Sequence, residues 1–294
     1  MAASSIGLGG AQAGGYQISA DVLNGIQQAS ANTGVDFSFL MAQAAKESGF
    51  NPDAKAKTSS ASGLYQFVEQ TWLSVVRKHG AEYGLGDMAS KIRIAEDGKL
   101  VVADRALRKE ILDLRRDPEI AAAMAAEHAA DNEQRLDAKL DREVTPVDLY
   151  LAHFLGLKGA VNFLRAMEAD PDQSAAAISP RAAAANKSIF YTADGTPRSL
   201  KQIYERFEDR IETDMAVYDD LDDALPATML ADVRSSGSLA GSGGERTVYG
   251  QTNPGGILSP FMLLTLASLP TGRDKDDTTS NSLFDKPSLT APAA

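Results

Sequence analysis

Three dipeptides, Asp117-Pro118, Thr145-Pro146 and Ser179-Pro180, each place a capping side chain directly before a proline. A side-chain oxygen at the cap satisfies a free N–H of the first turn, and a proline at the first helical position has no N–H to satisfy. Each pair therefore reads as a helix start. Ser19 before Ala20, Asp36 before Phe37 and Ser199 before Leu200 are further starts, and Asn32 to Gly34, Gly49 with Pro52, and His79-Gly80 read as stops. Inside these bounds the apolar residues recur at helical spacing: Val22, Ile26 and Ala29; Trp72, Val75 and Val76; Ile203, Phe207 and Ile211. Alanine is abundant, runs of β-branched residues are scarce, and aromatic residues make up only 6% of the chain, so no large sheet is expected.

One segment changes period. Lys91-Ile92-Arg93-Ile94 and Lys99-Leu100-Val101-Val102 alternate apolar and polar residues about Asp97-Gly98, which predicts a single short hairpin. The fold class expected is mainly α: a helical domain over residues 16–216 with one small β-hairpin. Residues 1–15, built from Gly, Ala and Ser, read as a flexible start. Residues 217–294 form an acidic, Ser/Gly/Pro-rich tail that reads as poorly ordered. Within that tail Ser259-Pro260 opens a possible short helix over 260–269, which would either dock on the domain or on a partner or stay unfolded.

The 294 residues carry a formal net charge of -11 with no basic cluster, which argues against binding a nucleic-acid backbone. There is no cysteine, so thiolate chemistry and disulfides are excluded. His79, His128 and His153 show no paired ligand spacing, so no metal and no cofactor is expected. Residues 1–15 do not resemble a secretory signal peptide. The longest apolar run, 257–269, contains Pro260 and falls short of the roughly 20 residues a spanning helix needs.

Within the helix that Asp36 starts, the residues three, four and seven before Glu47 are Ala44, Gln43 and Leu40. Glu47 therefore shares a largely apolar face near a helix end. Desolvation there favours the protonated carboxyl, the form a general acid requires. Two further segments add to it. Ser59-Ser60-Ala61-Ser62-Gly63-Leu64-Tyr65-Gln66-Phe67 offers a glycine for a tight turn, an amide that both donates and accepts, and an aromatic ring with a hydroxyl, a combination suited to sugars. Leu151-Ala152-His153-Phe154-Leu155-Gly156-Leu157-Lys158-Gly159 places two glycines between helical stretches.

Glu47-Ser48 with Phe50 and Pro52, followed by Ser60-Ala61 and Gly63-Leu64-Tyr65-Gln66, resembles the soluble lytic transglycosylase (SLT) domain, glycoside hydrolase family 23, of the goose-type lysozyme-like superfamily. The form with Gly-Leu-Tyr-Gln-Phe and the later Ala-His-Phe-Leu-Gly is similar to alphaproteobacterial and phage-type variants. The resemblance implies a lysozyme-like helical fold and peptidoglycan glycan strands as substrate. It also implies Glu47 as a single acid and base that cleaves the MurNAc-GlcNAc bond to a 1,6-anhydro product. Carried over by position, it implies substrate contacts from Ser48, Ser60, Gly63, Tyr65 and Gln66, with Tyr191 and Asn186 as candidates near the end of the domain. Thr58, Ser59 and Ser60 compete as the hydroxyl supporting Glu47. Where relatives commonly have Ala-Tyr-Asn-x-Gly, this chain has Ala152-His153-Phe154-Leu155-Gly156, so His153 either contacts substrate or sits in the core. Asp53 and Glu69 are the nearest second carboxylates, and each reads better as a surface charge.

Such a substrate implies the periplasm or cell envelope, with no signal peptide in view to explain export. The alternatives are a hydrolytic muramidase on the same fold and a non-catalytic peptidoglycan-binding or assembly protein. In the second case the tail would dock on a secretion, flagellar or phage structure.

Overall fold

A computed structural model describes residues 5–7, 10–57 and 59–224 of the chain. It begins with strands β1 (Ser5–Gly7), β2 (Gly10–Ala13) and β3 (Tyr16–Ser19), paired antiparallel in the order β1-β2-β3. Ala11, Ala13 and Ile18 are buried, so β2 and β3 cover the domain with one face. A flexible start does not describe these residues. Their inward side chains are mostly alanines, which give little alternation in hydropathy to read from sequence.

Helices α1 (Ala20–Thr33) and α2 (Phe37–Ser48) start where their caps predict: Ser19 accepts from Val22 N–H and Asp36 from Phe39 N–H. Helix α3 (Glu69–His79) runs into a 3-10 turn, and α4 (Gly86–Ser90) leads to the expected hairpin of β4 (Arg93–Ile94) and β5 (Leu100–Val101). Then follow α5 (Arg105–Asp113), a 3-10 turn at Leu114–Arg116, and the long α6 (Pro118–Asp137). The second part comprises α7 (Pro146–Ala169), short helices α8 (Ala175–Ile178), α9 (Pro180–Ala185) and α10 (Lys187–Phe190), then α11 (Leu200–Met215) and α12 (Asp219–Ala224). Thr145 and Ser199 form full capping boxes with Asp148 and Gln202, whereas Ser179 starts α9 without a side-chain cap bond.

The buried apolar residues fall into two clusters. One joins the N-terminal sheet, α1, α2, α3, the hairpin and the first half of α6; the other joins the end of α6, α7 to α11. The first cluster also takes in Tyr218 and Leu221, both buried, so the domain continues beyond residue 216 through residues read from sequence as tail. The possible helix at 260–269 lies outside the described residues. Helix α7 is broken at Gly156, which adopts φ 71° and ψ 156°, so the stretch carrying His153 ends one turn after that residue.

The loop between α2 and α3 is fixed from behind. Arg115 is buried, and its guanidinium donates to the carbonyls of Ser60 and Phe67 at 2.6 and 2.9 Å and to Leu112 at 2.9 Å. Gly63 turns at φ 83° against the Arg115 backbone, where a Cβ would lie 1.7 Å from the carbonyl oxygen. Gly98, at φ 80° in the hairpin turn, has open space at the same position. Gly63→Ala should therefore combine left-handed strain with a backbone collision and cost at least about 3 kcal/mol, whereas Gly98→Ala should cost about 1 kcal/mol from strain alone. Urea unfolding of the two variants checks the ordering.

Candidate active site

Glu47 lies in the last turn of α2, which Gly49 ends at φ 61° by donating its N–H to Ala44 and Ala45 carbonyls. Phe50 follows in the same left-handed region at φ 63°, an unusual backbone for a bulky residue, held by edge contacts with Tyr16 and Tyr218. Glu47 is 2% exposed, as its place on the apolar face predicts. A carboxyl group that deep needs polar partners. One is His153, whose Nε2 lies 3.1 Å from Glu47 Oε1. The imidazole is the accessible member of the pair, with its side chain 28% exposed against 1% for the glutamate. The contact joins α2 of the first core cluster to α7 of the second.

Two residues absent from the sequence-derived candidates complete this arrangement. Gln43, one turn before Glu47 on α2, brings its Nε2 to 3.5 Å from His153 Nδ1. Tyr150, one turn before His153 on α7, has its phenol pKa pushed up, first by desolvation and then by the negative charges of Glu47 and Asp214. Helical spacing was the available signal: Gln43 shares a face with Glu47, and Tyr150 with His153. Asp214, at the end of α11, is held by Lys46 at 3.1 Å and Arg210 at 2.9 Å, yet desolvation raises its pKa against the pull of Arg210.

The remaining sequence-derived residues divide by what their polar atoms touch. Ser48 donates to the Leu64 carbonyl at 2.7 Å and so ties α2 to the Gly63-Leu64-Tyr65-Gln66 segment. Tyr65 is buried and donates to the Leu40 carbonyl, so its ring and hydroxyl serve the core. Gln66, at φ 47° and buried, gives its amide to the carbonyls of Ala54 and Gly63 at 3.1 and 2.9 Å, which shapes the loop. The Ser60 hydroxyl accepts from Glu69 N–H, and the Ser59 hydroxyl accepts from Ala61 N–H. Thr58 lies outside the described residues. Asn186 is buried and donates to the Ala182 carbonyl, and the Tyr191 carbonyl accepts from Arg198. Glu69 is engaged by Arg108 through both carboxylate oxygens.

The fold also gathers histidines that are distant in sequence. His128, on α6, feels the charge of His153 and of His79, and it packs edge-on to Phe67. His79 hydrogen-bonds Glu127 at 3.0 Å and Asp131 at 3.1 Å. With Glu82 and Glu127 it places ligand atoms within 4.8 Å of one another, the one such group of three among the described residues. Carboxylates thus flank both of its ring nitrogens, and the contacts to Glu127 and Asp131 tie α3 to α6.

A helical domain with a buried glutamate at the end of its second helix, walled by a tight glycine turn, fits the lysozyme-like class that the sequence resemblance implies. Residues 24–94 match the family model of the Transglycosylase SLT domain. That segment, which contains Glu47 and the loop to Gln66, is identified as an SLT domain of the lytic-transglycosylase, lysozyme-like type, which supports peptidoglycan lysis in general. The match ends before α7, so His153 and Tyr150 come from the part of the chain outside it. Among the described residues no helix is long and apolar enough to cross a membrane.

The packed surroundings of His128 push its pKa down from 6.5 to about 4, mainly by desolvation. Between those values the unfolded chain binds a proton that the native protein refuses, so stability rises with pH across that window. Asp131, held near 2 by His79 and Lys78 against its own desolvation, titrates below it. Lowering the pH from 6.5 to 4 should remove on the order of 3 kcal/mol through His128. Chemical denaturation at stepped pH should show this slope flattened in His128→Asn.

Proposed function

We propose that this protein is a peptidoglycan lytic transglycosylase that cleaves the β-1,4 bond between MurNAc and GlcNAc with Glu47 as its single acid and base. The observation that carries this reading is the buried Glu47 carboxyl, hydrogen-bonded to His153, inside the segment that matches the SLT family. In the first step the Glu47 proton passes to the glycosidic oxygen as the bond to muramyl C1 breaks. The substrate's acetamido group supports the electron-poor C1. The C6 hydroxyl oxygen then bonds to C1 and its proton returns to Glu47, which leaves a 1,6-anhydro end and consumes no water. The cycle restores the acid without a second carboxylate.

The sequence-derived contacts take different parts in this reading. Tyr191 and Ser60 retain accessible surface and are the residues offered to the glycan, while the ring nitrogens of His153 are turned to Glu47 and Gln43. Ser48, Gly63, Tyr65, Gln66 and Asn186 act through the shape of the walls, since their polar groups are bonded within the protein. With a formal net charge of -11, the protein gains no long-range attraction to an anionic polymer, so affinity rests on short-range contacts. The substrate places the protein in the periplasm or cell envelope.

A second reading, hydrolysis by an activated water, is favoured by one observation. Asp214 is a part-buried carboxylate of raised pKa that acts on the same tyrosine as Glu47. The two readings differ in product. Mass spectrometry of digested sacculi should show anhydro-muropeptides, and Asp214→Asn should still form them. Reducing ends alone, lost in Asp214→Asn, would establish the hydrolytic route. Glu47→Gln should lower cleavage by about 10²–10⁴-fold while the variant remains folded by circular dichroism.

A further inference from the structure

The His153 side chain has no role in the acid and base steps just described, yet it makes a polar contact with Glu47 that joins α2, in the first core cluster, to α7, in the second. Its two nitrogens meet two residues one turn apart on α2: Nε2 is 3.1 Å from Glu47 Oε1, and Nδ1 is 3.5 Å from Gln43 Nε2. A neutral imidazole carries one N–H and one lone pair, and the partner of one nitrogen decides which nitrogen bears the proton. An amide N–H of Gln43 directed at Nδ1 leaves the ring proton on Nε2, directed at the carboxyl group. The α2 backbone fixes Gln43 and Glu47 relative to each other, so the ring is held along its whole edge.

We propose that His153 is the positioning residue of Glu47: Gln43 sets its tautomer, and its Nε2–H orients the carboxyl group and stabilises the carboxylate left when the proton has gone to the glycosidic oxygen. The proposal rests on the transglycosylase reading for its catalytic consequence and on the geometry alone for the tautomer. A charge-assisted hydrogen bond of this kind is worth more once the carboxylate forms than while the acid is neutral, so it acts in the step and not in ground-state binding. The other ionisable groups around the pair lie on α6, α7 and α11. His128 faces it from α6 with its pKa near 4, and Tyr150 lies on α7 with its phenol pKa raised. Asp214 of α11 reaches the pair's surroundings through Tyr150 and is neutralised by Lys46 and Arg210.

The test compares wild type, His153→Ala, His153→Gln and Gln43→Leu, each checked for folding by circular dichroism. The glutamine amide nitrogen lies about where imidazole Nε2 does, so His153→Gln keeps a donor and loses the ring. Against solubilised peptidoglycan, His153→Ala should lower kcat by about 10–100-fold, the effect typical of losing a partner that orients a reacting ligand, with KM within about threefold. His153→Gln should recover most of the rate. A rise in KM at unchanged kcat in His153→Ala, or a folded His153→Gln no better than alanine, would overturn the proposal. Nitrogen-15 NMR of the imidazole tests the tautomer whether or not the protein cleaves glycan. Protonated Nε2 with a bare Nδ1, lost in Gln43→Leu, is the expected result, and protonated Nδ1 overturns it. A wild-type protein that releases no muropeptide yet shows the Nε2–H tautomer would reject the transglycosylase reading and leave the positioning geometry standing.

Discussion

A carboxyl group buried where two apolar clusters meet is the constraint around which this domain is arranged. Glu47 is 2% exposed, and leaving it without polar partners would cost several kcal/mol. The surrounding features satisfy that demand. Gly49 ends α2 two residues after the glutamate, so the side chain sits at the helix end rather than inside the first cluster. Gly156 breaks α7 one turn after His153, so the imidazole is presented at the end of a straight segment. The hydrogen bond between them spans 106 residues of sequence and ties the SLT segment to the helices that follow it.

The loop beside Glu47 is held by backbone chemistry more than by its own side chains. Arg115 takes three carbonyls, Gln66 two, and Ser48 and Tyr65 one each across the α2 boundary. These are residues whose types look suited to a sugar. In the fold their donors are occupied in making a rigid wall, which is what a reaction dependent on geometry within a fraction of an ångström requires. Tyr150, which the pairing motifs do not include, is the tyrosine that feels the charge of Glu47.

Local features of this fold were legible in the sequence and tertiary ones were not. Asp36, Thr145 and Ser199 cap helices through the bonds their types predict, and Asp97-Gly98 marks the hairpin, because each depends on neighbours within a few residues. Glu47 was legible for the same reason, since its burial follows from helical spacing. The strands at residues 5–19 were hidden because β2 buries alanines, whose pattern is faint. Tyr218 and Leu221 were hidden by the acidic residues beside them in the sequence, of which Asp219 and Asp220 are exposed while the two apolar side chains turn in. The approach of His153 to Glu47, and of His128 to His153, depends on how α2, α6 and α7 cross, and no spacing along the chain encodes that.

The central claim is that the buried carboxyl group of Glu47 is held by the imidazole of His153. A double-mutant cycle measures that contact directly. Glu47→Ala, His153→Ala and the double variant, unfolded in urea at pH 7, should show a coupling of about 1–3 kcal/mol, the range for hydrogen bonds to charged groups in contact. Additivity within about 0.5 kcal/mol would mean that the two residues are neighbours without being partners, and the account would be wrong at its base.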